Sequence, residues 1–346
     1  MSDRSTLRPN AVAVETIAAA NAVPQRRATI AGHLQIARVD HWVKNVFVIP
    51  GVISALSLDP AAQPEVLLTR LVVGLFVVGI VASSNYTLNE LIDAPFDRHH
   101  PSKRLRPVPL GRVNIPVAYA QWLLLGAAGL VLALWVGHRF AATMAALWLM
   151  GCVYNIPPVR TKDVPHLDVL SEAMNNPLRM LAGWYIVSRV AIPPATLLVS
   201  YWMVGCYFMA IKRYAERRQF GDEDHIAAYR KSLARLTPDK LLIGITFYGS
   251  AAMLFFGAFI MRYRLELILT FPLVALVMAL YLELAFHEQS AAQHPEMLYR
   301  EPKLMLAVVA CTTAMTVLFF VHLPWLHTLV SPTVGAAGLR TAPGHW

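Results

Sequence analysis

Two sets of acidic and amide residues recur at four-residue spacing within stretches that are otherwise apolar. The first set is Asn89, Asp93 and Asp97, and the second contains Asp168 and Glu172. A step of four residues along an α-helix turns by only about 40° beyond a full turn, so each set can line one face of a helix. The spacing therefore predicts two acidic stripes on two helices.

Carboxylates in apolar surroundings are costly unless they are paired, hydrated or bound to metal, so these stripes indicate function. Oxygen ligands on opposed helices are suited to Mg²⁺, which keeps part of its water shell and bridges phosphate oxygens. We expect Asn89, Asp93 and Asp97 to hold Mg²⁺ through a bound diphosphate. Pro95 predicts a helix end near Asp93, with Asp97 supplied by the loop that follows. The alternative is that these side chains make polar contacts between helices or cap helix ends.

A basic loop follows the first stripe and contains Lys103, Arg104 and Arg106. Lysine and bidentate arginine can stabilise the negative charge that grows on a departing diphosphate. Arg179 follows the second stripe on the same predicted helix face. Each cation has an alternative role as a topological anchor at the membrane surface.

The elements that carry these residues are predicted to be membrane-spanning helices. The chain has 346 residues, of which 56% are hydrophobic and only 15% charged, which excludes an ordinary soluble globular protein. Several apolar runs approach the roughly 20 residues that a helix needs to cross a bilayer. The pattern predicts an all-α integral membrane protein with nine spans, at about 43–58, 66–93, 115–137, 140–156, 166–188, 194–214, 240–261, 264–286 and 303–324.

Basic residues are distributed unevenly between the two predicted faces. With nine spans, 23 of the 30 lysines and arginines fall on the side of the N-terminus. This asymmetry places that side in the cytoplasm, and we expect a multi-pass protein of a bacterial inner membrane. The net charge of +9 then reflects topology, so no nucleic-acid partner is expected. We predict a disordered cytoplasmic tail over 1–32, a catalytic membrane domain over 33–328 and a short non-cytoplasmic tail over 329–346.

The motif Asn89-x-x-x-Asp93-x-x-x-Asp97, followed by Lys103-Arg104-x-Arg106, resembles the first aspartate motif and basic loop of the UbiA superfamily of membrane prenyltransferases. Asp168-x-x-x-Glu172 resembles its second motif. The resemblance implies a UbiA-like helical bundle with a cytoplasm-facing active site and a Mg²⁺-dependent membrane transferase.

Three further segments resemble the decaprenyl-phosphate phosphoribosyltransferase-like branch: Trp42-Val43-Lys44-Asn45, Lys212-Arg213-Tyr214-Ala215-Glu216 and Tyr229-Arg230-Lys231-Ser232-Leu233. This branch implies transfer of 5-phosphoribose from phosphoribosyl diphosphate to a polyprenyl phosphate, with release of pyrophosphate. The catalytic residues implied are Asp93, Asp97, Lys103, Arg106, Asp168 and Glu172. The implied substrate-binding residues are Lys44, Asn45, Asn89, Arg104, Arg179, Lys212 and Arg213.

Other functions remain open at this point. The same motifs serve prenyl transfer from an allylic diphosphate to an aromatic or lipid acceptor. The second motif offers fewer acids than is typical of aromatic prenyltransferases, which weakens the case for a second metal. A transporter or lipid flippase could also use intramembrane acids to carry protons or ions. However, both stripes lie at one end of their helices, which leaves the other half of the membrane without acids for such a relay. A scaffold would not require clustered carboxylates.

Overall fold

The computed structural model describes residues 27–60, 67–98, 103–189, 191–219, 226, 230–287 and 295–330, and all regular elements in these ranges are helical. Most of both predicted tails, 1–26 and 331–346, lies outside the described residues. The α-helices are α1 (Ile30–Ile36), α2 (Ile49–Leu58), α3 (Leu67–Asp97), α4 (Ile115–Val136), α5 (His138–Asn155), α6 (Leu167–Ala173), α7 (Asn175–Val187), α8 (Ala195–Gln219), α9 (Lys231–Ala234), α10 (Pro238–Tyr263), α11 (Phe271–Leu284), α12 (Pro302–Phe320) and α13 (Pro324–Val330). Short 3₁₀ helices cover Val39–Val48, Lys103–Leu105, Thr161–Asp163, Leu265–Thr270 and Pro295–Arg300.

The prediction of an all-α integral membrane protein is confirmed. Within the described ranges, each of the nine predicted spans coincides with a helical segment, and seven such segments are long and apolar enough to cross a membrane. The two that do not qualify are α5, which begins with His138 and Arg139, and the α6–α7 segment, which is interrupted at Met174. By length and composition, seven of the nine predicted spans therefore qualify as membrane-crossing helices in the described ranges.

Helix α3 continues to Asp97 with Pro95 inside it, which differs from the break predicted near Asp93. A proline in a helix lacks the N–H that would bond to the carbonyl four residues earlier. Here it lies two residues before the helix end, so the interruption affects only the final turn. As a result, Asn89, Asp93 and Asp97 all belong to one helix.

The bundle is held by close helix pairs. Helix α10 packs along α8, α4 packs along α3, and α2 crosses α7. At the α2–α7 crossing, a Cβ atom added at Gly183 would lie 2.0 Å from the carbonyl oxygen of Val48, and one added at Gly51 would lie 1.9 Å from that of Met180. Glycine at both positions therefore allows the two backbones to touch, as is common between membrane helices.

Large apolar side chains cover the outer face of the bundle, as lipid contact requires. On α4, for example, Leu124, Val131 and Trp135 are exposed, whereas Gly126, Gly129 and Ala133 are buried against the neighbouring helices. Most of the buried charged side chains among the described residues collect instead at one end of the bundle, where α3 ends and α6 begins. We call this the carboxylate end.

Candidate active site

The first acidic stripe lies at the buried end of α3. The carboxylates of Asp93 and Asp97 belong to residues only 4% and 3% exposed. One turn earlier, the Nδ2 atom of Asn89 donates to Oδ1 of Asn155, which ends α5, at 2.7 Å. This contact fixes the Asn89 amide so that its carbonyl oxygen remains available on the same helix as the two carboxylates.

Two cations from the short segment between α5 and α6 neutralise Asp93. Arg160 donates from Nη2 to Oδ1 of Asp93 at 3.1 Å, and Nζ of Lys162 forms an ion pair with its Oδ2. Arg160 also donates to the carboxylate of Asp163 at 3.1 Å. Sequence reasoning used these two cations only as indicators of membrane topology. The sequence feature that could have identified them as site residues is the presence of two cations in the short connection just before the second acidic motif.

Burial lowers the pKa of Lys162 to about 8, although the Asp93 carboxylate opposes this shift by favouring the charged form. Burial likewise lowers the pKa of Lys103 to about 8, against the attraction of Glu216. An additional anion bound beside either ammonium group would therefore stabilise its protonated form. Such an arrangement favours binding of a phosphate group.

The basic loop after α3 lies over the same site. Nη1 of Arg106 donates to Oδ2 of Asp97 at 2.6 Å. The loop is attached to α3 through Glu90, whose Oε1 accepts the backbone N–H of Val108 at 3.2 Å. Arg104 is exposed and makes no recorded contact with either carboxylate in the part of the chain that the structure describes.

The second motif forms a different arrangement from the first. Asp168 is fully buried, and its Oδ2 accepts from Nε of Arg213 at 3.0 Å and from Oγ of Ser232 at 3.2 Å. Nε of Arg230 lies 3.4 Å from the same oxygen. Arg213 also donates to Glu216 at 2.7 Å. Asp168 is thus enclosed by two arginines.

Tyr154 joins the two clusters. Its hydroxyl accepts from Nη2 of Arg230 at 2.6 Å, and Nζ of Lys162 lies 5.5 Å from the centre of its ring. The Asp93 and Asp168 clusters are therefore neighbours across one buried tyrosine. We refer to Asp93, Arg160 and Lys162 as the donor cluster and to Asp168, Arg213 and Arg230 as the acceptor cluster.

Several of the other predicted residues make no direct ion pair among the described residues. Lys212 is within electrostatic range of Glu216, Lys103 and Lys44. The side chains of Lys44, Lys212 and Glu172 have no recorded hydrogen bond or ion pair in the described ranges. Two other predicted residues, Asn45 and Arg179, are buried, and each has one polar side-chain atom without a recorded partner there.

Residues 47–307 match the UbiA prenyltransferase family. The chain belongs to this family. It is therefore a UbiA-type membrane transferase, as the motifs predicted, and an integral multi-pass membrane protein.

Relatives of this UbiA protein include two bacterial enzymes named decaprenyl-phosphate phosphoribosyltransferase. The one from Mycobacterium tuberculosis is 30% identical over 229 residues, which cover 66% of this chain and 73% of that protein. The one from Corynebacterium glutamicum is 29% identical over 231 residues, covering 64% and 65%. A solved UbiA homolog from Archaeoglobus fulgidus, bound to GPP and Mg²⁺, has a TM-score of 0.64 at 20% identity and covers 83% of this chain and 99% of its own. That likeness supports the fold.

The end of α3 has a donor set that fits a hard divalent cation. Asn89, Asp93 and Asp97 place three oxygen-bearing side chains on consecutive turns, which is the ligand chemistry of Mg²⁺. Asp168 is paired with two arginines, as Asp93 is paired with Arg160 and Lys162, so either carboxylate would have to release a cation to bind a metal. The Oδ1 atom of Asp168 is buried without a hydrogen-bond partner among the described residues, so a further donor could still approach it.

Proposed function

We propose that this UbiA-family enzyme transfers 5-phosphoribose from phosphoribosyl diphosphate to a polyprenyl phosphate and releases pyrophosphate. The observation that carries the proposal is the presence of two adjacent cationic clusters bridged by Tyr154. This reaction brings together two phosphorylated substrates, so it needs two anion subsites side by side. Prenyl transfer to an uncharged acceptor needs only one.

The donor cluster is assigned to the diphosphate. Asn89, Asp93 and Asp97 would hold Mg²⁺, which when bound neutralises part of the diphosphate charge and makes it a better leaving group. Arg160 and Lys162 then exchange their contacts with Asp93 for contacts with phosphate oxygens. The buried lysine supplies its positive charge where the leaving group becomes more negative.

The acceptor cluster is assigned to the phosphate of the polyprenyl phosphate. Arg213 and Arg230 are oriented by Asp168, so they present a fixed guanidinium pair instead of two mobile side chains. Lys212 and Lys44 add positive charge on the same side. The lipid tail would extend between the apolar helices.

In the proposed reaction, an oxygen of the acceptor phosphate attacks the anomeric carbon of the phosphoribosyl donor. The bond between that carbon and the diphosphate oxygen breaks, and its electron pair leaves with pyrophosphate. The acceptor phosphate becomes a phosphodiester, so no external oxidant, reductant or water is consumed. The protein residues bind and orient both anions and stabilise the departing charge.

A second candidate is prenyl transfer from an allylic diphosphate to an aromatic or lipid acceptor. The family name and the GPP-bound neighbour from Archaeoglobus fulgidus favour this reaction class. The donor cluster would perform the same task, and the acceptor cluster would bind an anionic acceptor headgroup. Transport or lipid flipping is less well supported, because the donor and acceptor clusters lie together at the carboxylate end of the bundle.

The proposal also includes location and organisation. We infer a bacterial inner-membrane protein whose carboxylate end faces the cytoplasm, because basic residues concentrate on that side. The catalytic unit would cover 33–328, with the tails outside it. No nucleic-acid partner is proposed.

The test follows transfer of ribose-labelled phosphoribosyl diphosphate into the lipid phase. Protein purified in detergent is incubated with Mg²⁺ and a long-chain polyprenyl phosphate, and label is counted after organic extraction. We expect label in lipid for the native protein and a loss of about 100-fold or more for Asp93→Asn, since the variant loses a charged ligand of the Mg²⁺ that would stabilise the departing diphosphate.

Asp239→Asn is the matched control, because Asp239 is an exposed acid in the first turn of α10 at the same end of the bundle. This variant should retain full transfer. Gel filtration in detergent establishes that both variants are folded. Absence of lipid label from folded native protein, together with transfer from prenyl diphosphates to an aromatic acceptor, would replace the phosphoribosyl proposal by the second candidate.

A further inference from the structure

A separate group of potential metal ligands lies at the end of the bundle opposite the carboxylates. Glu266 follows α10 in the first turn of the 3₁₀ helix Leu265–Thr270, and His322 and His327 flank the start of α13. Helix α10 has 26 residues and is therefore about 39 Å long at 1.5 Å per residue. Because Ser232 of the active site lies just before α10, Glu266 is separated from that site by roughly the thickness of the bilayer core.

Both histidines converge on one carboxylate oxygen. Nδ1 of His322 lies 2.8 Å from Oε1 of Glu266, and Nε2 of His327 lies 3.0 Å from the same atom. The backbone N–H of Leu323 also donates to Oε1, at 3.3 Å. The three ligand atoms all lie within 4.8 Å of one another. The carboxylate is therefore fixed in position by the backbone, with two imidazoles directed to it.

The burial of the three groups differs in a way that suits ion binding. The Glu266 side chain is 2% exposed, whereas the side chains of His322 and His327 are 64% and 45% exposed. A buried carboxylate supplies a negative charge with little competition from water. Exposed imidazoles can rotate to admit an ion without repacking the core. The site thus combines a fixed carboxylate ligand with two adjustable imidazole ligands.

We propose that Glu266, His322 and His327 bind a divalent transition-metal ion of the Zn²⁺ type. Two imidazole nitrogens and one carboxylate oxygen are a ligand set typical of zinc, whereas Mg²⁺ and Ca²⁺ prefer oxygen ligands alone. Zinc bonds of about 2.0–2.1 Å in tetrahedral geometry separate neighbouring ligand atoms by roughly 3.3 Å. The observed N–O separations need to widen by only a few tenths of an ångström to reach that value.

The coordination position that remains faces a cavity of about 400 Å³. Arg262, Tyr263 and Arg264 also line this cavity. Nη2 of Arg264 donates to the carbonyl oxygen of Ser57 at 2.6 Å. The guanidinium of Arg262 lies 5.8 Å from the centre of the Tyr263 ring. Water or a small anion held by these arginines would complete the coordination.

A bound ion would join two distant parts of the chain. Glu266 belongs to the junction between α10 and α11, whereas the histidines belong to the junction between α12 and α13, 56 and 61 residues later. Because the site lies away from the donor and acceptor clusters, its occupancy does not depend on the proposed transferase reaction.

The test measures zinc binding by purified protein that carries no polyhistidine tag. The protein is stripped with a chelator, exchanged into metal-free detergent buffer, loaded with Zn²⁺ and passed through gel filtration before elemental analysis. We expect one zinc ion per chain in the native protein. Titration with Co²⁺ should produce the visible absorption bands of a tetrahedral nitrogen and oxygen site.

His322→Ala and His327→Ala should each weaken zinc binding by more than about tenfold, since even outer-shell partners of metal ligands change affinity by about 10- to 100-fold. Glu266→Gln should weaken it as well while keeping an acceptor for Leu323. His138→Ala is the matched control at the same end of the bundle, and it should bind zinc like the native protein.

Asp93→Asn distinguishes this site from the carboxylate end and should retain both the zinc stoichiometry and the cobalt spectrum. Equal zinc binding by the native protein and a folded His322→Ala, His327→Ala double variant would overturn the proposal, as would native protein that retains no zinc after gel filtration. A cobalt spectrum without tetrahedral bands would also contradict the ligand assignment.

Discussion

Replacing Lys162 by arginine should change how binding of the phosphorylated donor depends on pH. Lys162 is 13% exposed and pairs with Asp93, and burial lowers its pKa to about 8. An arginine at this position keeps its charge throughout the accessible pH range. The Lys162→Arg variant therefore removes one titrating group from the donor cluster while keeping a cation there.

The expected magnitude comes from the fraction of charged lysine. With a pKa of about 8, roughly nine tenths of the Lys162 side chains are charged at pH 7 and roughly one tenth at pH 9. If the charged form binds the diphosphate, the KM for the donor rises about ninefold over this interval. Lys103, with a pKa also of about 8, contributes a second factor of similar size. The native enzyme should thus lose about 80-fold in donor affinity, and Lys162→Arg only about ninefold.

As the pH rises, the contribution of Lys162 to the free energy of unfolding should increase while donor affinity falls. The opposite directions separate the loss of binding from alkaline unfolding. Between pH 8 and about 10.5, the unfolded chain keeps the Lys162 proton that the folded chain has released. The contribution of Lys162 to the free energy of unfolding therefore increases as the pH rises through this range. Donor affinity falls while the unliganded protein becomes more stable.

The assay measures initial rates of label transfer at pH 7, 8 and 9 over a range of donor concentrations. Lys240→Arg, an exposed position at the start of α10, is the control and should follow the native pH profile. An equal rise in the donor KM between pH 7 and pH 9 for the native enzyme and Lys162→Arg would refute the assignment of Lys162 to the diphosphate. A pH effect on kcat alone, with an unchanged KM, would also contradict it.

Three further outcomes are expected. Asp168→Asn should lower the free energy of unfolding by about 3–5 kcal/mol, because it removes the carboxylate that Arg230 and Arg213 share and leaves Arg213 paired with Glu216 alone. Denaturant unfolding in detergent checks this. Gly183→Ala should prevent normal assembly, because the added Cβ would lie 2.0 Å from a carbonyl oxygen of the neighbouring helix. Gly257→Ala should assemble normally, because a Cβ added there would have no atom within 4 Å. The yield of folded protein on gel filtration compares the two variants. Asn155→Ala should raise the Mg²⁺ concentration needed for half-maximal transfer by about tenfold or more, because Asn89 loses the partner that orients it; a Mg²⁺ titration of the initial rate measures this.

The positions of the helices could be predicted from the sequence because apolar runs and charged breaks act locally. The continuation of α3 to Asp97 was not predicted, since a proline normally ends a helix but costs little when it stands in the last turn. The interruption at Met174 was also missed. A single break inside an apolar segment depends on neighbouring helices more than on local composition.

The acidic motifs of the candidate site could be predicted, but most of the partners of those motifs could not. The pairing of Asp93 with Arg160 and Lys162 joins residues 67 and 69 positions apart, and no periodicity connects them. The enclosure of Asp168 by Arg213 and Arg230 likewise depends on how α6, α8 and the segment before α10 pack. Short-range spacing predicts which side chains share a helix face, whereas ion pairs between helices require the assembled bundle.

The order of charges along the chain has a consequence for biogenesis. Asp93 is synthesised before Arg160 and Lys162, and Asp168 precedes Arg213 by 45 residues. Each carboxylate therefore leaves the ribosome before the cations that pair with it, so its ion pairs can form only after the following helices have been made. We expect the burial of these acids to be coupled to later synthesis, because an arginine or lysine made afterwards completes each pair.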